Sequence, residues 1–423
     1  MKNNYQISEY DSFVCEKQIP GYHTLPKKTF EQLEEFILTN NNKDTDAIEL
    51  MGISARKGIG KIITAKNYVG TIAMSDGRTI EILPKLYPAS DVKDVKKLLI
   101  EMLKTLNDTP FKSFNKTNVD IEKLSVFEIF IAMFISEISM IVKHGLKSDY
   151  ELVEENENKI KGKILFNKNI RYNYAHKEKN YIQYEEYNNN RPENKLIKST
   201  LYYLYKKTNS LKNKTSLKVL LNSFKDVDYS SNYKDDFSKF NKDRNMKDYE
   251  IVLTWCMVFL MNKSFTSFVG SQVSIALLFP MEKLFEDYIA FRLRKQLDRN
   301  TYVVSTQDRK YYLFDEPTKK FAMRPDIVVT NKVNGNIYVL DTKWKVLDER
   351  KNNYGISQND MYQMYAYQKK YNSDNVTLIY PMTDSVTNNN ISFTSQDGVN
   401  VRVKFVNLLN KTNLDNDLKN IIQ

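Results

Sequence analysis

Apolar and polar residues follow two rhythms along this chain, and the change from one to the other divides it. Between residues 48 and 83 short β-branched runs are separated by turn residues. This predicts strands over 62–69 and 71–74, a Ser75-Asp76-Gly77 turn and a return from Thr79 to Leu83 that stops at Pro84. One helix is expected ahead of them, around 29–38. After Asp91 the period lengthens, and helices are predicted over 92–106, 125–143 and 194–207, with a second strand pair around 159–166. The stretch 209–247 is rich in Lys, Asn, Ser and Asp with weak periodicity, so it reads either as a weakly anchored helical insert or as a flexible surface segment. From about residue 275 the pattern is helix, hairpin, helix and a further strand at 376–380. The chain is therefore expected to be an α+β or α/β multidomain protein. A small β domain (1–90) precedes a mainly helical middle (91–274) and a C-terminal module (275–423) in which helices flank a mixed sheet.

The chemistry concentrates in the hairpin. FAMRPDIVV and NIYVLDTKW read as paired strands, and the Asn334-Gly335 pair between them is a strong turn signal. Asp341 and Lys343 are two apart, so they share one strand face, with Thr342 and Trp344 on the other. Folding the first strand back brings Asp326 towards Asp341. Two carboxylates and an ammonium then converge, a set able to hold Mg²⁺ and to offset charge on a phosphate oxygen. Asp-x-Lys triplets also begin at Asp91, Asp94, Asp308 and Asp417, and an exposed Asp and Lys pair is usually a solvated surface contact. None of those four follows a β-branched apolar run, as Asp341 follows Ile337-Tyr338-Val339-Leu340, or has a Pro-Asp strand upstream. On either side of the hairpin, Phe279-Pro280-Met281-Glu282 opens a helix that carries Glu286, and a helix through Asn359 to Tyr367 places Gln363 and Tyr367 one turn apart.

Taken in order, these segments resemble the PD-(D/E)xK nuclease superfamily, and the Gln363-x-x-x-Tyr367 spacing is similar to a motif of its RecB-like branch. The resemblance implies that Glu286 is the helix acid, with Glu282 one turn away as the alternative. It makes Asp326 and Asp341 metal ligands alongside Glu286, and Lys343 the catalytic lysine. Gln363 and Tyr367 would position DNA or brace the core. Four further segments narrow the likeness: Tyr68-Val69-Gly70-Thr71-Ile72, the run from Gly77 to Lys85, Gly162-Lys163-Ile164, and the run from Asn194 to Leu201. They look like McrC, the nuclease subunit of McrBC modification-dependent restriction systems. The likeness runs from about residue 5 to about residue 400, and the segment after Lys206 departs most.

At 423 residues and 41% apolar content the chain can bury real cores. A net charge of +11 and a pI near 9.1 fit a nucleic-acid partner, through release of counterions from phosphates. Two distant cysteines and three scattered histidines exclude a disulfide framework and a histidine-based zinc site. No signal-peptide or membrane-length apolar run is present, so a cytoplasmic location is expected. The run from Arg56 to Ile62 contains two glycines but lacks the Ser or Thr that must follow the lysine of a phosphate loop. The chain itself is thus expected to bind no nucleotide.

These expectations compose into one reading. The chain would be a Mg²⁺-dependent endonuclease subunit, with Mn²⁺ able to substitute, acting on double-stranded and methylcytosine-containing DNA in antiviral defence. Its implied partner is a McrB-like AAA+ GTPase ring whose turnover it stimulates. Docking is expected in the N-terminal region, at loops carrying Arg56, Lys57 and Arg78. A stand-alone RecB-like nuclease and a non-catalytic DNA-binding adaptor are the alternatives.

Overall fold

The computed structural model describes residues 4–41, 51–74, 76–86, 91–106, 111, 124–240, 246–261, 273–382, 386 and 391–422. Ser75 of the expected turn and residues 48–50 lie outside them. The chain forms two compact units, one built from residues 1–127 with 264–423 and the other from 128–263.

The first unit opens with β1 (Asn4–Ser8), β2 (Ser12–Cys15), β3 (His23–Leu25) and α1 (Lys27–Asn41). β4 (Met51–Arg56), β5 (Gly60–Ala65), β6 (Tyr68–Met74) and β7 (Thr79–Leu83) follow. These strands make two sheets, one in the order β3-β2-β5-β4. The other has the order β1-β7-β6 and is completed by β11 (Val273–Pro280), from far along the chain. Phe13, Leu33, Ile37, Ile63, Ile72, Ile80 and Leu278 close the core between the two sheets and α1, since strands and helices with one apolar face must bury it against a neighbour. Gly70 is required where β6 meets β11: its φ is +137, and a Cβ there would lie 2.0 Å from the Leu277 carbonyl oxygen. The boundary expected at residue 275 therefore falls inside a strand of the N-terminal sheet. The glycines of the run from Arg56 to Ile62 make the hairpin turn between β4 and β5, where Arg56 pairs with Gly60 and the Ile59 N–H donates to the Arg56 carbonyl.

α2 (Val92–Leu103) is capped by the Asp91 side chain, which accepts from the Lys93 N–H. α3 (Val126–His144) leads into the second unit, which holds β8 (Asp149–Glu157), β9 (Lys163–Ile164), α4 (Phe166–Tyr172) and β10 (Asn180–Asn188). It ends with α5 (Pro192–Lys207), α6 (Leu211–Ser223), α7 (Tyr233–Ser238) and α8 (Lys247–Met261). Where the sequence predicts one strand pair around 159–166, the structure has a three-stranded sheet in the order β8-β10-β9. Its long strands were not expected because Glu, Asn and Gln dilute their alternation. Gly162 serves this sheet as Gly70 serves the other, since a Cβ there would lie 2.4 Å from the Gln183 carbonyl oxygen. The described part of the Lys/Asn-rich stretch forms α6 and α7, and it is anchored: the buried Glu128 carboxylate accepts from Thr208 Oγ1, the Asn209 and Ser210 N–H groups and Asn213 Nδ2.

Back in the first unit, β11 runs directly into α9 (Met281–Gln296). β12 (Tyr302–Thr306), β13 (Tyr312–Phe314), β14 (Lys320–Ala322), β15 (Ile327–Asn331), β16 (Ile337–Thr342), α10 (Gln358–Tyr371), β17 (Asn375–Pro381), β18 (Ile391–Thr394), β19 (Asn400–Val406) and α11 (Lys411–Ile422) complete the chain. A mixed sheet has the order β12-β15-β16-β17-β19-β18, with β16, β17 and β19 mutually parallel. Met364, Tyr367 and Tyr371 of α10 pack on Val339, Val376, Leu378 and Val403. The expected first strand is divided: its FA portion pairs with β13 in a separate small sheet, and β15 begins only after Asp326. The hairpin is present, but the loop runs from Lys332 to Gly335, with Gly335 alone in the left-handed region at φ +79.

Candidate active site

β16 carries the centre of the site. Val339 faces α10, so the strand period puts Asp341 and Lys343 on that same side. Trp344 turns the other way, edge-on to Phe285 of α9 at 5.4 Å. The Lys343 backbone stays in the ladder, donating to the Ile379 carbonyl. Asp341 is 1% exposed, and its Oδ2 lies 2.5 Å from the Lys343 ammonium. That ammonium compensates the carboxylate by its charge and by hydrogen bonding.

Asp326 is fixed from the neighbouring strand end. Its Oδ2 accepts from the Thr342 N–H at 2.8 Å and from Thr342 Oγ1 at 2.9 Å. Burial and then the Asp341 charge push its pKa up, against those two hydrogen bonds. Burial raises Asp341 as well, with Lys343 opposing. Glu286 is raised by burial and then by Asp326. Burial works against the Lys343 ammonium, but Asp341 outweighs it, helped by Asp326 and Asp360, and holds that pKa above the ordinary lysine value. The three acids thus sense one another across a cluster with more negative charge than Lys343 offsets.

The choice between the two α9 acids is visible in their partners. Glu286 is buried and accepts from Gln307 Nε2 at 2.9 Å and Lys283 Nζ at 3.2 Å. Glu282 is exposed and bonds Asn67 of the loop between β5 and β6. Because Met281 also donates to the Asn67 carbonyl, the N-terminal sheet fixes the start of the helix that presents Glu286.

Gln363 and Tyr367 join the same network. Lys343 Nζ approaches Gln363 Oε1 at 3.5 Å, and Gln363 Nε2 donates to the Tyr367 hydroxyl at 2.7 Å. Tyr367 is buried, and desolvation, followed by Asp341, drives its phenol upward. Among the proposed docking residues, Arg56 and Lys57 are exposed at the β4–β5 turn. Arg78 is not free: it donates to Thr29 Oγ1 and pairs with Asp76.

Three contributors have no motif to announce them. Gln307, whose own N–H donates to the Asp326 carbonyl, links Glu286 to the aspartate segment. Thr342 is the spacer of Asp-x-Lys, yet it anchors Asp326. Glu9 accepts from Trp344 Nε1 at 3.1 Å beneath the site strand. Only the β-strand alternation, which turns Thr342 and Trp344 away from Asp341, hinted at any of them.

The donor set is all oxygen and suits a hard divalent cation, which needs only one or two carboxylates and keeps several waters. The burial of Asp326 and Asp341 and their mutual repulsion are the features such an ion would relieve. Among the described residues no group of three His, Cys, Asp or Glu side chains is placed close enough to hold a metal ion as it stands. Lys343, Thr342 and Gln307 hold the acids in the cluster instead.

The model of the McrBC 5-methylcytosine restriction system component family matches residues 63–381, and the chain belongs to that family. No curated protein matches it. In the refined half-complex from the tetradecameric assembly of Thermococcus gammatolerans McrB AAA+ hexamers with bound McrC, one chain is similar with a TM-score of 0.71 and 18% identity. The match covers 99% of this chain and 100% of that one. A chain in the cryo-EM structure of the Thermococcus gammatolerans McrBC complex is similar with a TM-score of 0.51 and 17% identity, over 70% of this chain and 88% of that one. At such identity the likeness concerns the fold. Among the described residues no helix is long and apolar enough to cross a membrane.

Proposed function

We propose that this chain is the Mg²⁺-dependent endonuclease subunit of an McrBC-like restriction system, with a PD-(D/E)xK core. It would cut double-stranded, methylcytosine-containing DNA in the cytoplasm. The observation that carries this reading is the convergence of Asp326, Asp341 and Lys343 at one end of β15 and β16, with Glu286 electrostatically joined to them. Asp326, Asp341 and Glu286 are the residues to hold the cation, which when bound supplies Lewis-acid polarisation of the scissile phosphate. Lys343, braced between Asp341 and Gln363, presents its ammonium to a phosphate oxygen and offsets charge gained during in-line attack. Tyr367 fixes the amide orientation of Gln363, and Thr342 fixes Asp326.

The partner in this reading is a McrB-like AAA+ GTPase ring whose turnover the chain stimulates, as family membership and the McrB-containing neighbours support. The β4–β5 turn with Arg56 and Lys57 is one docking surface. The β8–β10 sheet is the better supported one, because it leaves Tyr150, Leu152 and Tyr187 to solvent. It also carries Glu151, Glu154, Glu155, Glu185 and Glu186, charges that repel DNA and suit a basic protein face.

Plasmid cleavage by the chain, with and without the GTPase ring, tests the proposal. Cleavage should need Mg²⁺ or Mn²⁺, stop with a chelator, and be absent from Asp341→Ala. Normal cutting by Asp341→Ala, or cutting in the chelator, would sink it.

A further inference from the structure

Beside the acidic cluster lies an open cleft of about 580 Å³ lined by Leu313, Phe321, Met323, Arg324, Tyr362 and Gln363, among others. Its size falls in the roughly 300–1,000 Å³ range of ligand clefts. It is continuous with the candidate active site, because Gln363 and Tyr367 belong to both. Its outer wall is unusual for a soluble surface: Phe321 is 73% exposed and Tyr362 64%, and Phe314 beside Phe321 is 55% exposed. Phe321 also sits at φ +60, a left-handed conformation that bulky residues rarely adopt and that holds its ring out on the short β13–β14 sheet. The Phe314 ring meets it edge-on at 5.9 Å. Cations lie on the same segment: Arg324 lines the cleft, and Lys319, over the Tyr312 ring, and Lys320 are exposed on the β13–β14 hairpin. Glu316 is exposed nearby, while Asp315 is occupied by Lys370.

We infer that this cleft receives an unpaired nucleobase of the DNA strand being cut, stacked against Phe321 and Tyr362, next to the phosphate held at Lys343. The inference rests on the nuclease reading and adds to it a substrate conformation. A paired duplex presents phosphates and groove edges, and offers aromatic side chains no base face. Only an unstacked base gives Phe321 and Tyr362 a π-surface, with Arg324 and the hairpin lysines placed for the flanking phosphates. Local opening of the duplex thus becomes part of how a strand reaches the acidic cluster.

The test uses the full chain with its GTPase ring, bearing Asp341→Asn so that DNA is bound and not cut. The probes are two duplexes of one sequence, fully paired or carrying a short unpaired bubble, with 2-aminopurine in the bubble strand. Stacking should quench the 2-aminopurine. Phe321→Ala with Tyr362→Ala should abolish the quench and lower the ratio of bubble to paired affinity roughly tenfold, while Phe321→Trp restores both. GTPase stimulation and the circular dichroism melt, which a misfolded variant would alter, should not move. An unchanged quench and ratio in the double variant would overturn the inference, as would loss of GTPase stimulation, which would make the patch a protein contact. Plasmid cutting by the chain with Asp341 intact tells the two readings apart. If it persists, the nuclease reading stands alone; if the chain neither cuts nor binds DNA, both fall.

Discussion

Two sheets in this molecule use strand formers in opposite ways. In the sheet around the site, β16 and β17 are buried almost along their whole length, as strands covered by helices on both faces must be. In the second unit, β8 is exposed at every position but Val153, although Tyr150, Leu152, Tyr187 and neighbouring Phe166 and Ile170 are large and apolar. The first sheet spends its apolar surface inside and so can hold buried, repelling aspartates in place. The second keeps that surface outside, where it contributes little until something covers it. In the proposed reading, chemistry is built on the buried sheet and the exposed one is left for association.

The largest expected effect breaks the first half of this contrast. Asp341→Ala should lower DNA cleavage by about 10³-fold or more while the thermal melt stays near that of the parent, because a repelling buried carboxylate is removed along with its ion pair. A large fall in melting temperature would show that Asp341 is structural. Next comes a matched pair of truncations. Leu340→Ala, at a fully buried position, should cost about 2–5 kcal/mol, and Leu152→Ala on β8 within about 0.5 kcal/mol. Denaturant titration of both variants decides the matter: similar losses would mean that β8 is covered after all. Leu152→Ala should still weaken GTPase stimulation if β8 docks the partner.

How far the residues announced this can be judged strand by strand. The C-terminal hairpin was legible because β-branched runs flank a clear turn signal, and the helix through Gln363 because its period is regular. The N-terminal sheet was legible only in part: β11 joins it from some two hundred residues away, and strand pairing at that separation leaves no local mark. β8 and β10 escaped notice because exposed strands need no alternation. Within the site, Asp326, Asp341 and Lys343 stood out by spacing. Gln307 and Glu9 did not, since each acts through the fold and not through a motif.

A smaller effect sharpens the account of the site sheet. Gln363→Leu removes the link between Lys343 and Tyr367 without touching the acids, and should lower cleavage about 10–100-fold. Isothermal titration should find its Mn²⁺ affinity unchanged. Equal loss of metal binding would place Gln363 among the groups that hold the ion.

The smallest expected effect concerns the acid beneath the site strand. Glu9 is fully buried, and its pKa is pushed from 4.5 up to about 8, chiefly by burial, with hydrogen bonds from the Lys85 N–H and Trp344 Nε1 opposing. A carboxyl raised in the folded state binds its proton more tightly there than in the unfolded chain. Its contribution is fully present below about pH 4.5 and is lost as pH rises through about 8. Glu9→Gln keeps an acceptor for both donors but cannot ionise, so its melting temperature should match the parent near pH 5 and exceed it above pH 8 by roughly 2–4 °C. Melting curves across that window are the measurement. Parallel parent and variant curves would mean that Glu9 is already compensated as a carboxylate, and that the site strand rests on an ion and not on a neutral acid.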